Sequence, residues 1–135
     1  MPSVMFVCST NQGKSQMAAA LARQEFGSAV TVYSAGLKPG KAVNQDAARL
    51  LVERGASTEG EHPKAFDEEL ARSVDKVVMV GTNAQLDPAL YEELGAETWD
   101  VVEPSLDGIE GDERLNLMLD DMAARVKDLG KRFGL

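Results

Sequence analysis

The one cysteine of the chain, Cys8, follows the apolar run Val4-Met5-Phe6-Val7 and opens the polar stretch Ser9-Thr10-Asn11-Gln12-Gly13-Lys14-Ser15-Gln16. A thiol placed where a strand gives way to a tight loop and then a helix lies over free backbone N–H groups and the positive end of the helix dipole. Such a field favours the thiolate, which is the nucleophilic form. The amides from Ser9 to Ser15 can curve into a nest that suits a tetrahedral oxyanion, and Lys14 adds a full positive charge to it. Asn11 and Gly13 are the residue types that tolerate the left-handed backbone such a nest needs. Ser15 carries a hydroxyl that can donate to the sulfur. The candidate oxyanion-binding set is therefore Ser9, Thr10, Asn11, Gln12, Gly13 and Lys14, with Cys8, Lys14 and Ser15 as candidate catalytic groups.

The Gly-Lys-Ser ending also fits the close of a nucleotide-binding loop. The first position of that motif requires glycine for backbone freedom, and Cys8 stands there instead. Such enzymes also need a carboxylate at the end of another core strand to hold magnesium, and the run Asp75-Lys-Val-Val-Met-Val-Gly81 ends in glycine. The nucleotide reading fails on both counts. A lone cysteine is commonly a small buried hydrophobe, but its position ahead of Asn-Gln-Gly-Lys-Ser at a strand-to-helix junction favours the nucleophile.

To hold this loop, a sheet with helices is required. Apolar runs rich in β-branched residues predict strands over 3–8, 29–35, 75–81 and 97–102. Between them the spacing predicts helices from Lys14 to Phe26, from Asn44 to Gly55, a short one after Asp67, and one from Asp87-Pro88 to Gly95. A last helix from Asp112 to Phe133 carries Leu115, Met118, Leu119, Met122, Val126, Leu129 and Phe133 as one apolar stripe. Alternating strands and helices imply an α/β fold: a small, doubly wound, four-stranded parallel sheet with helices on both faces. In such sheets ligands bind beyond the carboxyl ends of the strands, where Cys8 falls.

Composition sets further bounds. The 135 residues fit a single domain spanning 1–135, with no repeat or linker. A net charge of −8 argues against nucleic acid or an anionic membrane as partner, so a bound anion must be drawn by a local field. The N-terminal Met-Pro-Ser-Val-Met-Phe-Val lacks a basic region and a long apolar core, so no signal peptide is read and a cytoplasmic protein is expected. A single thiol agrees, because it forms no internal disulfide. One histidine, His62, builds no multi-histidine metal cluster, and no metal site is expected.

The pattern resembles the low-molecular-weight protein tyrosine phosphatase superfamily, which has C-x5-R-[ST] after its first strand and includes arsenate reductases. Beyond the Cys8 loop the likeness includes Tyr33-Ser-Ala-Gly-Leu-Lys-Pro39, Val43-Asn-Gln-Asp-Ala-Ala-Arg-Leu-Leu-Val-Glu-Arg-Gly-Ala56, His62-Pro-Lys-Ala-Phe-Asp-Glu-Glu-Leu70 and Trp99-Asp-Val-Val-Glu-Pro104. The family's loop arginine is Lys14 here, so a bidentate fork is replaced by a point charge. By the same resemblance the general acid of an Asp-Pro pair becomes Glu103 of Glu103-Pro104, expected to face the cysteine and protonate the departing oxygen.

Ser15-Gln16-Met17 and the tryptophan four residues before the acid resemble the arsenate reductase branch. Aromatic residues that would wall a phosphotyrosine ring are missing from segments 36–43 and 104–106. The two further cysteines of thioredoxin-coupled reductases have no counterpart in the segment after the third strand, so the resemblance points to the single-cysteine, mycothiol-dependent type. It implies no bound cofactor, an external low-molecular-weight thiol (mycothiol) as cosubstrate, and a mycoredoxin- or glutaredoxin-like protein as reductant, with arsenate or a phosphate-like oxyanion as substrate. The alternatives are a phosphomonoester hydrolase and an inactive oxyanion-binding module.

Overall fold

The computed structural model describes residues 1–135. Four strands, β1 (Ser3–Cys8), β2 (Thr31–Gly36), β3 (Lys76–Val80) and β4 (Glu97–Trp99), form one parallel sheet in the order β2-β1-β3-β4. The helices α1 (Lys14–Phe26), α2 (Gln45–Glu53), α3 (Glu68–Ser73), α4 (Pro88–Leu94) and α5 (Gly111–Arg132) fill the connections. The expected doubly wound α/β class is the one observed.

Side chains of a strand alternate between faces, and β1 divides the core accordingly. Val4 and Phe6 join a cluster of 24 buried residues with α1, α2 and α5, whereas Met5 and Val7 join one of 7 with α3 and α4. Most burial therefore backs the helix that follows the Cys8 loop. Helix α1 is buried from Ser15 through Ala22, and its alanines let it lie close between the sheet and α5. The stripe on α5 is buried as expected, apart from a half-buried Phe133. Methionines 5, 79, 118 and 122 all fill core.

Helix ends follow the side-chain chemistry. Asn44, Asp67 and Asp87 each accept from backbone N–H groups in the first turns of α2, α3 and α4, and Pro88 takes the first position of α4. Helix α1 has neither device: Gly13 is its N-cap, no side chain caps it and no acidic residue lies in its first turn, whereas α5, also without a side-chain cap, carries Asp112 and Glu113 there.

Two strand edges differ from expectation by more than one residue. β2 starts at Thr31 rather than Ala29, because Gly27–Ala29 form a 3₁₀ turn that Gly27 enters at φ 54°. β4 stops at Trp99 rather than Val102. Beyond it the Asp100 carbonyl accepts from Arg125 Nη2 and the Val102 N–H donates to the Asp121 carboxylate, which takes both groups out of the ladder. The chain leaves β1 toward β2 on one side while β3 lies on the other, so the loop after Cys8 opens at the point where the winding reverses. No helix is long and apolar enough to cross a membrane.

Candidate active site

Cys8 is the last residue of β1, paired in register with Gly36 of β2. The chain then turns sharply at Asn11, whose φ of 56° makes it the one non-glycine residue in the left-handed region. Gly13, expected to share that role, has φ −121° instead and serves as the helix N-cap. The turn presses on β2 so closely that a Cβ at Gly36 would lie 2.7 Å from the Thr10 carbonyl carbon and 2.8 Å from the Asn11 nitrogen. Only glycine permits that approach.

The carbonyls of the loop point outward. Those of Ser9, Thr10 and Gln12 accept from the N–H groups of Lys38, Gly40 and Asn44 at 2.8, 2.9 and 2.8 Å. The N–H groups of Ser9, Thr10, Gln12 and Gly13 donate to no protein acceptor. With α1 uncapped, these amides and those of its first turn are free to meet an anion, in the field of the helix N-terminus.

Beneath the loop runs a buried relay. Asn11 is fully buried, and its Oδ1 accepts from the Lys64 N–H at 2.9 Å and from Gln16 Nε2 at 3.1 Å. Because a backbone N–H can only donate, this fixes which end of the amide is oxygen. Its Nδ2 then donates to Ser15 Oγ at 2.7 Å, which leaves the Ser15 hydroxyl hydrogen to point at Cys8 Sγ, 2.9 Å away. The Asn11 N–H also donates to the sulfur at 3.2 Å. Two hydrogen bonds thus converge on Sγ and fix its position at the mouth of the loop.

Cys8, Ser9, Thr10, Gln12, Gly13 and Lys14 all line a cavity of about 350 Å³. The aliphatic stem of Lys14 crosses Gly81, at the end of β3, so closely that a Cβ there would sit 3.0 Å from its Cδ. The glycine that rules out a magnesium carboxylate is thus the one that admits the lysine. No aromatic side chain and no carboxylate lines the cavity, and Arg114 from the first turns of α5 contributes a second cation. Ser15 lies below the cavity floor and reaches it only through the sulfur.

Glu103 stands elsewhere. Its two oxygens accept from Arg114 Nε and Nη2 at 2.8 and 2.7 Å, and one also accepts from the Ser105 hydroxyl at 2.9 Å. The Arg114 guanidinium, helped by Ser105, holds its carboxyl down to about 2, so it is ionised at neutral pH. It lines a separate surface hollow with Val102, Pro104 and Leu106, not the one Cys8 opens into. The expected proton donor facing the cysteine is thus found, in this arrangement, as a proton acceptor bound to arginine. The sequence reading passed over Arg114. A signal was present: a cation near the N-terminus of a helix opposes the dipole and asks for a reason.

His62 is exposed, and no group of three or more histidine, cysteine, aspartate or glutamate side chains converges to hold a metal. With no aromatic wall, the arrangement is a nucleophile with an anion nest, a lysine and an arginine.

Residues 3–133 match the family described as low molecular weight phosphotyrosine protein phosphatase. The chain is 30% identical over 135 residues to a Halobacterium salinarum protein provisionally named arsenate reductase, covering 95% of this chain and 90% of that one. A structure titled an arsenate reductase in the phosphate binding state superposes with a TM-score of 0.80 at 28% identity, covering 96% of each chain. A Corynebacterium glutamicum thioredoxin-dependent arsenate reductase superposes with a TM-score of 0.76 at 27% identity; 98% of this chain is covered, but it spans only 61% of the length of that protein.

Proposed function

Since the chain belongs to the low molecular weight phosphotyrosine protein phosphatase family, we propose that it is an arsenate reductase that uses Cys8 as nucleophile and an external thiol as the source of electrons. The observation that carries this reading is the cavity around Cys8: amides without acceptors, two cations and no aromatic wall, which fit a small tetrahedral oxyanion rather than an aryl ester. The resemblance of whole relatives that bear the name arsenate reductase supports it.

The amides of Ser9, Thr10, Gln12 and Gly13, those of the first turn of α1 and the Lys14 ammonium hold the oxygens of arsenate, while the Asn11 N–H stays on the sulfur. The Cys8 thiolate attacks arsenic; a sulfur–arsenic bond forms and one arsenic–oxygen bond breaks, the oxygen leaving as water with protons from the substrate and from a donor at the site. Ser15 stabilises Cys8 both as attacking and as leaving sulfur. A low-molecular-weight thiol of the mycothiol kind then displaces Cys8, giving a thiol–arsenate adduct still at arsenic(V). A second thiol, on a mycoredoxin- or glutaredoxin-like protein, attacks the adduct sulfur. The two sulfurs become a disulfide and arsenic takes the electron pair as arsenite. With one cysteine in the chain, no internal disulfide cascade can supply those electrons. Such chemistry belongs to a reducing compartment, and a cytoplasmic location is part of the proposal.

The test incubates the protein with arsenate, mycothiol or glutathione, and the matching redoxin, and follows arsenite. Wild-type protein is expected to form arsenite and Cys8→Ser to lose at least about a thousandfold. Unchanged arsenite formation in the variant overturns the reading. Hydrolysis of an aryl phosphate without thiol, faster than arsenite formation, transfers the site to the phosphatase alternative.

A further inference from the structure

We propose that Arg114 is a second oxyanion ligand of the Cys8 cavity, and that Glu103 occupies its guanidinium as a placeholder until the anion arrives. The inference rests on the oxyanion reading of that cavity. Lys14 supplies only a point charge to the nest, and a planar fork that grips two oxygens at once is absent from the loop itself. Arg114, whose side chain carries such a fork, lines the same cavity from α5, 100 residues along the chain.

Its hydrogen bonds show how it is held. Nε and Nη2 grip the Glu103 carboxylate in a side-on pair, and Nη1 donates to no protein acceptor. One edge of the guanidinium is thus engaged while the other stays free. The pair is about 28% exposed on each side, so little burial energy locks it. A doubly charged oxyanion in the nest outbids a single carboxylate for the same fork, first through Nη1 and then by taking the edge Glu103 held. Glu103, released beside a bound anion, loses the cation that keeps it ionised and can then carry the proton that the departing oxygen needs. A cation opposed to the dipole of its own helix, and a catalytic-loop carboxylate turned away from the cavity, both follow from this exchange.

Equilibrium binding of inorganic phosphate by titration calorimetry tests this without any turnover. Arg114→Ala is expected to weaken phosphate roughly tenfold to a hundredfold, with Arg114→Lys between it and the wild type. Glu103→Gln, which removes the competitor, is expected to tighten binding several-fold, by roughly the cost of a charge-assisted pair in water. In an Arg114→Ala background the same Glu103→Gln change should alter affinity less than about twofold, since there is then no fork to release. Lys127→Ala, an exposed cation on the same helix, should leave binding unchanged. Equal binding by wild type and Arg114→Ala, or weaker binding by Glu103→Gln, overturns the inference while leaving the arsenate reading in place. Failure of the wild type to bind phosphate overturns both.

Discussion

The Cys8 loop is anchored from beneath by hydrogen bonds among Asn11, Ser15, Gln16 and the Lys64 backbone, while the Glu103 carboxylate is held by Arg114 and Ser105 in a pair open to water. Both contribute ionisable groups to the same end of the sheet. The first must keep amides aimed at one point through a turnover, and buried bonds in a low-dielectric interior hold such aim. The second, on the inference above, must change partner, and an exposed pair costs little to open. Rigidity and readiness to move are assigned to different segments.

The sharpest way to break the contrast is at its hub. Asn11→Ala leaves the Lys64 N–H without its acceptor and Gln16 Nε2 with the His62 carbonyl alone, and puts a Cβ-bearing residue with no local hydrogen bond at φ 56°. A loss of about 2–4 kcal/mol is expected in urea denaturation, together with loss of activity. Asn11→Gly should recover only the backbone part, about 1–2 kcal/mol. Next comes Gly36→Ala, which drives a methyl into the Thr10–Asn11 peptide. About 1–3 kcal/mol of stability and roughly a hundredfold in turnover should go, the second because the nest is displaced.

Acid acts on the exposed side of the comparison. Glu103 and Glu97 are each held at about 2 in the folded protein, against an ordinary 4.5, the first mainly by Arg114 and the second mainly by Arg132. Groups depressed in this way stabilise the fold fully above their unfolded value and lose that contribution as pH falls from about 4.5 toward 2. Melting temperature should therefore decline through that window, and Glu97→Gln should flatten the decline; an unchanged slope would remove these pairs from the account. The smallest effect is expected at Arg114→Ala, which should cost at most about 1 kcal/mol of stability in urea while changing anion affinity far more. A stability loss equal to that of Asn11→Ala would erase the contrast.

The sequence made one half of this contrast plain and hid the other. Cys8, Lys14 and Ser15 were legible because the loop is contiguous, and local spacing dictates where a strand ends and a helix begins. The sheet was legible for the same reason, through the alternation of β-branched runs and capped helices. The outward turn of Glu103 was not, because it depends on Arg114, eleven residues on and across a turn, and no local rule fixes which partner a surface carboxylate takes. The early end of β4 was missed likewise, since Arg125 and Asp121 claim its backbone groups from another helix. The assignment of a left-handed turn to both Asn11 and Gly13 went half wrong because either type suffices, and asparagine alone brings the amide that the relay requires.

The passage of the Lys14 stem over Gly81 binds two positions that lie far apart in the chain into one heritable trait. A methyl at 81 would press on the stem of the lysine and shift the ammonium it carries. Any side chain whose stem follows the same path from position 14 therefore depends on position 81 staying without a Cβ.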